Sequence, residues 1–288
     1  MIHPLGTKTN LAAFALFGVL SCHRASSPGA PPGSEITPLR CQSQTGCTDS
    51  ADRHYTCSYS EIRTGVSTGH ASRCRPADCA SCGAIPVLSG EVVDSDANEP
   101  TPLPGALVRA WPVAGGHAAD TRTDAQGRYR FLVPVGATVF VRTERAGSMS
   151  ELHAATVPAN GWDVPLDLRS AATLSRLLGA PSDIDPSRGV IVVEFTGTDA
   201  LSGLGAQSDP PAAASFSFGN NGQIVRGNRL SSTSRRLLLL GGIAGNARVT
   251  LTNSERVHCA AQAATIRQWP VEPGTITQID VDCDSAAP

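Results

Sequence analysis

Seven histidines, His3, His23, His54, His70, His117, His153 and His258, are spread one to a segment, and none stands in an HExxH spacing that would set two imidazoles on one helix face around zinc. Serine hydrolase chemistry is not expected either, for want of a nucleophile elbow. The only lysine is Lys8, so the other 22 basic residues are arginines, and no phosphate-loop lysine, Schiff base or internal lysine–asparagine crosslink can form beyond it. Asp94, Asp96 and Asn98, in the run Asp-Ser-Asp-Ala-Asn-Glu, bring together the oxygens a calcium ion wants. Glycine is missing at the sixth position of that loop and Gly105 stands where the twelfth-position glutamate belongs, so a solvated hairpin is expected and no metal site. Asp280, Asp282 and Asp284 alternate with Ile279, Val281 and Cys283, which reads as one solvated strand face. Trp111, Trp162 and Trp269 are enough for a sugar-stacking platform, but packing in cores is their first reading. Cys79-Ala80-Ser81-Cys82 spells CxxC with no βαβ pattern around it, which argues against a thioredoxin-type centre. No catalytic residue and no cofactor are expected.

The elements that must position these residues are read from composition. In 288 residues, apolar content of 41% is enough for real cores, while charged residues at 17% and a net charge of -2 leave no basic field for nucleic acid. Aromatics at 5% beside 28 glycines and 21 prolines suit short strands joined by many turns. Nine cysteines, an odd number, leave one that needs another use in an oxidised protein.

Leu11 to Leu20 is an unbroken apolar run of ten residues behind a short polar start carrying Lys8. As a helix it rises roughly 15 Å, about half a bilayer core, so residues 1–21 read as a signal peptide. Val19-Leu20-Ser21-Cys22 resembles a bacterial lipobox, which implies cleavage behind Ser21 and a lipid-anchored Cys22 inserted in the bilayer. His23, in place of the aspartate that would resemble an inner-membrane retention signal, points to the outer membrane. Residues 22–40, with four prolines, two glycines and three serines, read as a tether reaching up to roughly 50 Å.

Cys41, Cys47, Cys57, Cys74, Cys79 and Cys82 follow within a module of residues 41–84. An exported segment too small for a core is stabilised by disulfides, here three, whose fifteen pairings the spacing leaves open. A zinc site from His70, Cys74, Cys79 and Cys82 is the weaker reading, since two well-spaced CxxC pairs are lacking. Tyr55 and Tyr59 fall here, as packing against a disulfide or as contact residues.

From residue 85 to 169 about seven short strands are expected, among them Leu88 to Val93, Ala106 to Val113 and Thr138 to Thr143. Asp124 to Gly127 supplies turn chemistry ahead of Tyr129 and Phe131 alternating with arginines, the pattern of a hairpin with one buried face. Ser89-Gly90-Glu91-Val92-Val93-Asp94, then Pro102-Leu103-Pro104-Gly105-Ala106, then Thr123 to Phe131, then Pro134-Val135-Gly136 are similar to the carboxypeptidase regulatory-like domain, a transthyretin-like sandwich. The resemblance implies a fold and an accessory, non-catalytic role beside peptidases and surface proteins.

Residues 170–186 read as a short helix, N-capped by Ser170 with Leu174, Leu177 and Leu178 on one face, and a linker. Residues 187–288 repeat the preceding pattern. Gly189 echoes Gly90, Gly205-Ala206 echoes Gly105-Ala106, Gly245 echoes Gly136, and Ala263-Ala264-Thr265 echoes Ala154-Ala155-Thr156, a diverged duplication. Cys259 and Cys283, on its last strands, are expected to pair with each other. The nine cysteines then divide into one for lipid, six for the module and two for this copy.

The expected class is all-β, two tandem transthyretin-like or Ig-like β-sandwiches behind a small disulfide-rich module. The expected function is a membrane-anchored, non-catalytic cell-envelope binding or scaffolding lipoprotein with a protein or glycan ligand. Exposed tryptophans would favour glycan, and an open strand edge would favour protein. The alternative is an accessory or regulatory subunit of an envelope enzyme such as a peptidase.

Overall fold

Apolar residues recur at every second position through much of the chain, and that period buries a single face only in an extended backbone. The computed structural model describes residues 35–41, 46–64, 67–96, 99–178, 188–197, 201–219, 224–231, 234–240, 245–253 and 257–285. In them the pattern gives strands almost throughout. These are β1 (Thr37–Pro38), β2 (Arg40–Cys41), β3 (Gly46–Thr48), β4 (His54–Thr64), β5 (Ser67–Pro76), β6 (Ile85–Asp94), β7 (Thr101–Pro102), β8 (Leu107–Pro112), β9 (Ala119–Arg122), β10 (Arg128–Leu132), β11 (Thr138–Glu144), β12 (Ser150–Thr156), β13 (Trp162–Asp163) and β14 (Leu166–Leu168). After helix α1 (Ala171–Leu178) come β15 (Val190–Gly197), β16 (Gly205–Asp209), β17 (Ala214–Gly219), β18 (Ile224–Arg226), β19 (Ser234–Leu240), β20 (Gly245–Thr252), β21 (Val257–Ala261), β22 (Trp269–Val271) and β23 (Thr275–Ser285).

The all-β class holds, and the strands stack as β-sandwiches. In the first sandwich β6 runs antiparallel to β10 and parallel to β13 and β14, and faces a layer built from β9, β8, β11 and β12. Leu88, Val92, Val108, Phe131, Val139, Val141 and Leu166 fill the space between the layers. The second sandwich repeats the plan. There β15 runs antiparallel to β19 and parallel to β23, and the facing layer pairs β16 with β20 and β20 with β22. Gly136 and Gly245, which the expected duplication would align, both sit at positive φ where β11 and β20 begin, at 75° and 81°. Ala263-Ala264-Thr265 departs from the repeat. It lies in a turn where its counterpart ends β12, because β21 pairs with β23 instead.

The hairpin expected around Asp124 to Gly127 is instead a corner. The turn itself forms, with the Gly127 amide donating to the Asp124 carbonyl at 3.0 Å and the Asp124 carboxylate accepting from the amides of Gln126 and Arg128. Its two strands then part, β9 pairing with β8 in one layer and β10 with β6 in the other. Gly127 makes this crossing feasible. It holds φ 73° against the other layer, where a Cβ would lie 2.7 Å from the Val92 carbonyl oxygen and 2.9 Å from the Leu103 amide.

Two junctions are continuous sheet. The disulfide-rich segment pairs β5 with β6 through Ser72 opposite Val87 and Cys74 opposite Ile85, so its hairpin extends the first sandwich's sheet. The residues read as the end of the tether are likewise docked: Thr37 and Pro38 pair with Leu132 and Phe131, and Leu39 is buried beside Cys47, Cys57 and Cys74. An apolar side chain with a core beside it is worth burying, by about 2 kcal/mol for a leucine. Between the sandwiches, β12 pairs in parallel with β23, Ser150 opposite Thr275 through His153 opposite Gln278. One sheet therefore runs β18-β17-β19-β15-β23-β12-β11-β8-β9 through both sandwiches. Helix α1 is capped by the Ser170 hydroxyl, which accepts from the Thr173 amide at 3.1 Å, and its Leu174 packs with Met149, Val190, Phe216 and Leu238.

Candidate functional site

Cys22, the expected lipid site, and Asn98 lie outside the described residues. The six cysteines of the N-terminal segment form Cys41–Cys47, Cys57–Cys74 and Cys79–Cys82, and Cys259 is bonded to Cys283. Three of the four bridges join directly opposed residues of antiparallel strands. The Cys47 and Cys57 sulfurs are 3.7 Å apart, so two bridges stack in one small core under Tyr55. Burial and the hydrogen bond to Asp49 push the Tyr55 hydroxyl up to about 12, fixing it as a neutral donor. Disulfides at this density belong to the oxidising compartments of exported proteins. No helix among the described residues is long and apolar enough to cross a membrane.

The carboxylates singled out for calcium are already engaged. Asp94 takes Arg145 at 2.6 Å, and Asp96 accepts from the amide and hydroxyl of Ser170, which ties the 94–96 corner to the start of α1. The face expected to be solvated at Asp280 to Asp284 is divided. Asp284 is exposed, whereas Asp280 turns inward to His153. The tryptophans form no shared platform: Trp269 is buried, Trp111 tilts against Phe140 with centroids 5.6 Å apart, and Trp162 packs on the first sandwich's core. Gly65 to Gly69 does spell Gly-x-Ser-x-Gly. Ser67, however, opens β5, which pairs antiparallel with β4, so the strand-to-helix turn of a nucleophile elbow is not what holds it.

At the junction of the sandwiches the shared sheet brings buried charge together. The His153 ring nitrogens lie 3.1 Å from Glu151 and 3.7 Å from Asp280, and Gln278 bridges Asp280 at 3.0 Å to Glu194 at 3.1 Å, where Arg236 pairs. Burial by itself would lower the His153 pKa, but the two carboxylates outweigh it and raise it to about 10. Burial likewise works against the Asp280 charge, and His153 more than reverses that, holding the carboxyl below its usual range. His153 is thus an imidazolium at neutral pH, matched by carboxylates from both sandwiches. A charge fixed in this way carries structure and does not shuttle protons.

Elsewhere lies a cleft of about 600 Å³ lined by Pro38 to Cys41 on one wall, Asp120 to Arg122 of β9 on another, and Arg128 to Arg130 of β10 behind. Four arginines surround it: Arg40, Arg122, Arg128 and Arg130. Arg122 donates to the Gly105 carbonyl at 2.8 Å, while the exposed guanidiniums of Arg40 and Arg128 have no side-chain partner among the described residues. Its two acids are already occupied. Asp120 forms a two-pronged pair with Arg109 at 2.8 and 3.0 Å that holds its carboxyl below the ordinary range, and Asp124 caps its own turn. The Tyr129 hydroxyl is spent on the Val164 carbonyl at 2.6 Å. Along this wall β9 pairs with β8 on one side, and no described strand pairs with its other edge. Arg128 and Arg130 were visible as the polar half of an alternating strand. What gave no signal was the return of Arg40 beside them, which depends on β1 pairing with β10.

No protein-family model matches the chain, and no curated protein matches it. Among solved structures, the chain is similar to a minor pilin of Streptococcus agalactiae at 12% identity, over 70% of this chain and 97% of that one, with a TM-score of 0.23. A shaft pilin of Lactobacillus rhamnosus GG aligns at 12% identity over 70% and 99% of the two chains, with a TM-score of 0.25. A 3-chlorocatechol 1,2-dioxygenase of Rhodococcus opacus aligns at 16% identity and a TM-score of 0.24, over 28% of this chain, which spans 58% of the length of that enzyme. No residue role is carried over from superpositions this loose.

Proposed function

We propose that the protein is an exported, lipid-anchored, non-catalytic binding protein of the cell envelope, and that it takes an extended acidic segment of a protein partner into the arginine-rimmed cleft beside β9. The observation that carries this reading is the cleft's chemistry. The exposed guanidiniums of Arg40 and Arg128, without a side-chain partner among the described residues, stay charged at any physiological pH, have no acceptor and cannot serve as general bases, but recognise carboxylates with paired N–H donors. The open edge of β9 favours a peptide over a sugar, because an edge strand offers backbone groups to an added strand and the tryptophans provide no stacking face. The lipobox at Cys22 and the disulfides support an envelope location.

The test is a quantitative pull-down from detergent-solubilised envelope with the wild-type chain and with the Arg40→Glu/Arg128→Glu variant. A protein retained by the wild type and lost by the variant supports the reading, and equal capture contradicts it. If that protein is a peptidase, the chain is its accessory subunit.

A further inference from the structure

Three of the four described disulfides have at least one buried cysteine: Cys47 in the first, both Cys57 and Cys74 in the second, and Cys283 in the fourth. Cys79–Cys82 differs in each respect that governs reactivity. Both residues are half-exposed, they lie in a turn outside the strands, and they close the shortest loop, with a sequence separation of 3 against 6, 17 and 24 for the others. A short loop takes the least conformational entropy from the unfolded chain, so little folding energy defends this bond.

The two sulfurs are not equivalent. Cys82 lines a hollow of about 340 Å³ with Pro76, Ile85, Pro86, Val133 and Val135, the last strongly exposed at 63%. Cys79 faces the polar side of the turn. The Ser81 hydroxyl donates to its sulfur at 3.7 Å, a bonded sulfur having no proton of its own to give, and the Arg75 guanidinium is held against the next residue by a 3.0 Å hydrogen bond to the Ala80 carbonyl. A hydroxyl donor and a nearby cation both stabilise a thiolate, which makes Cys79 the better leaving group.

We infer that Cys79–Cys82 is a thiol–disulfide exchange site, attacked at the Cys82 sulfur from the apolar hollow by a dithiol protein. The incoming thiolate forms a bond to Cys82 Sγ. The Cys79–Cys82 bond breaks, and its electron pair goes to Cys79 Sγ, which takes up a proton. The partner's second thiol then attacks the mixed disulfide and releases Cys82. Two electrons and two protons have passed to Cys79 and Cys82, and the partner leaves as a disulfide. The surroundings differ from a thioredoxin fold, and the chain acts here as the disulfide substrate.

The probe is thioredoxin whose resolving cysteine is serine, incubated with the full chain in detergent, followed by peptide mass mapping of the mixed disulfide. The expected adduct is on Cys82, formed before any at the other three bridges. Ser81→Ala should form it about threefold more slowly, a unit rise in leaving-group pKa acting with a Brønsted slope near one half. An adduct on Cys79, an adduct first at another bridge, or no adduct while the Cys57–Cys74 bridge stays intact would each overturn the assignment. An unchanged rate in Ser81→Ala would overturn the choice of Cys79 as leaving group.

Discussion

Replacing His153 by glutamine keeps a donor of similar size and removes the positive charge between Glu151 and Asp280. Two carboxylates from different sandwiches would then be left without the imidazolium between them, and breaking a buried pair in this way costs about 3–5 kcal/mol. The pH dependence gives an independent figure. The His153 pKa rises from 6.5 in the unfolded chain to about 10 in the folded one. Its contribution is therefore complete below the unfolded value and is lost as pH climbs toward the folded value, at about 1.4 kcal/mol per pH unit. Over the whole window that amounts to about 5 kcal/mol, in line with the cost of the substitution. Asp280, held below its usual range, has the opposite sign: its contribution stands above about pH 4 and is lost in acid. The assay is urea unfolding of the oxidised protein followed by tryptophan fluorescence at pH 5.5, 6.5, 7.5 and 8.5. The difference between wild type and His153→Gln isolates this site, and it should shrink by about 2–3 kcal/mol from pH 6.5 to 8.5. A difference that stays constant with pH, or one below about 1 kcal/mol at pH 6.5, would refute the account of the seam.

Four further outcomes are expected. Tyr129→Phe strands the buried Val164 carbonyl and should cost about 1–2 kcal/mol by denaturant titration. Gly127→Ala places a Cβ against the Val92 carbonyl at a positive φ, so a loss of about 2–3 kcal/mol is expected, and a neutral result would mean that the corner relaxes freely. Replacing Cys57 and Cys74 together by alanine should destabilise by about 3 kcal/mol, against about 2 for Cys79 and Cys82, because the loops differ in length. Cys22→Ala should move the protein from the membrane to the soluble fraction on cell fractionation, and an unchanged membrane fraction would remove lipid anchoring from the proposal.

Strand positions were legible because Tyr129 and Phe131, or Leu88 and Val92, alternate or recur on a face that only extended backbone can bury. Partnering was not. Asp124 to Gly127 makes the same local turn whether its strands rejoin or cross to another layer, and the choice is made by Val92 and Leu103, more than twenty residues away in sequence. The parallel pairing of β12 with β23 joins segments over a hundred residues apart, so nothing local announced that Glu151, His153 and Asp280 would meet. The cleft was hidden for the same reason. Arg40 ended what reads as a tether, and only the burial of Leu39 and the pairing of Thr37 with Leu132 bring it to Arg128.

The claim that the cleft is a binding site for an acidic extended segment is tested most directly by fluorescence anisotropy with a labelled octapeptide alternating glutamate and valine, titrated with the full chain in detergent at several salt concentrations. Wild type should bind it, more weakly as salt rises, and Arg40→Glu/Arg128→Glu should weaken the affinity at least about tenfold, or 1.4 kcal/mol. Binding that the charge reversal leaves unchanged, or no binding at low salt, would contradict it.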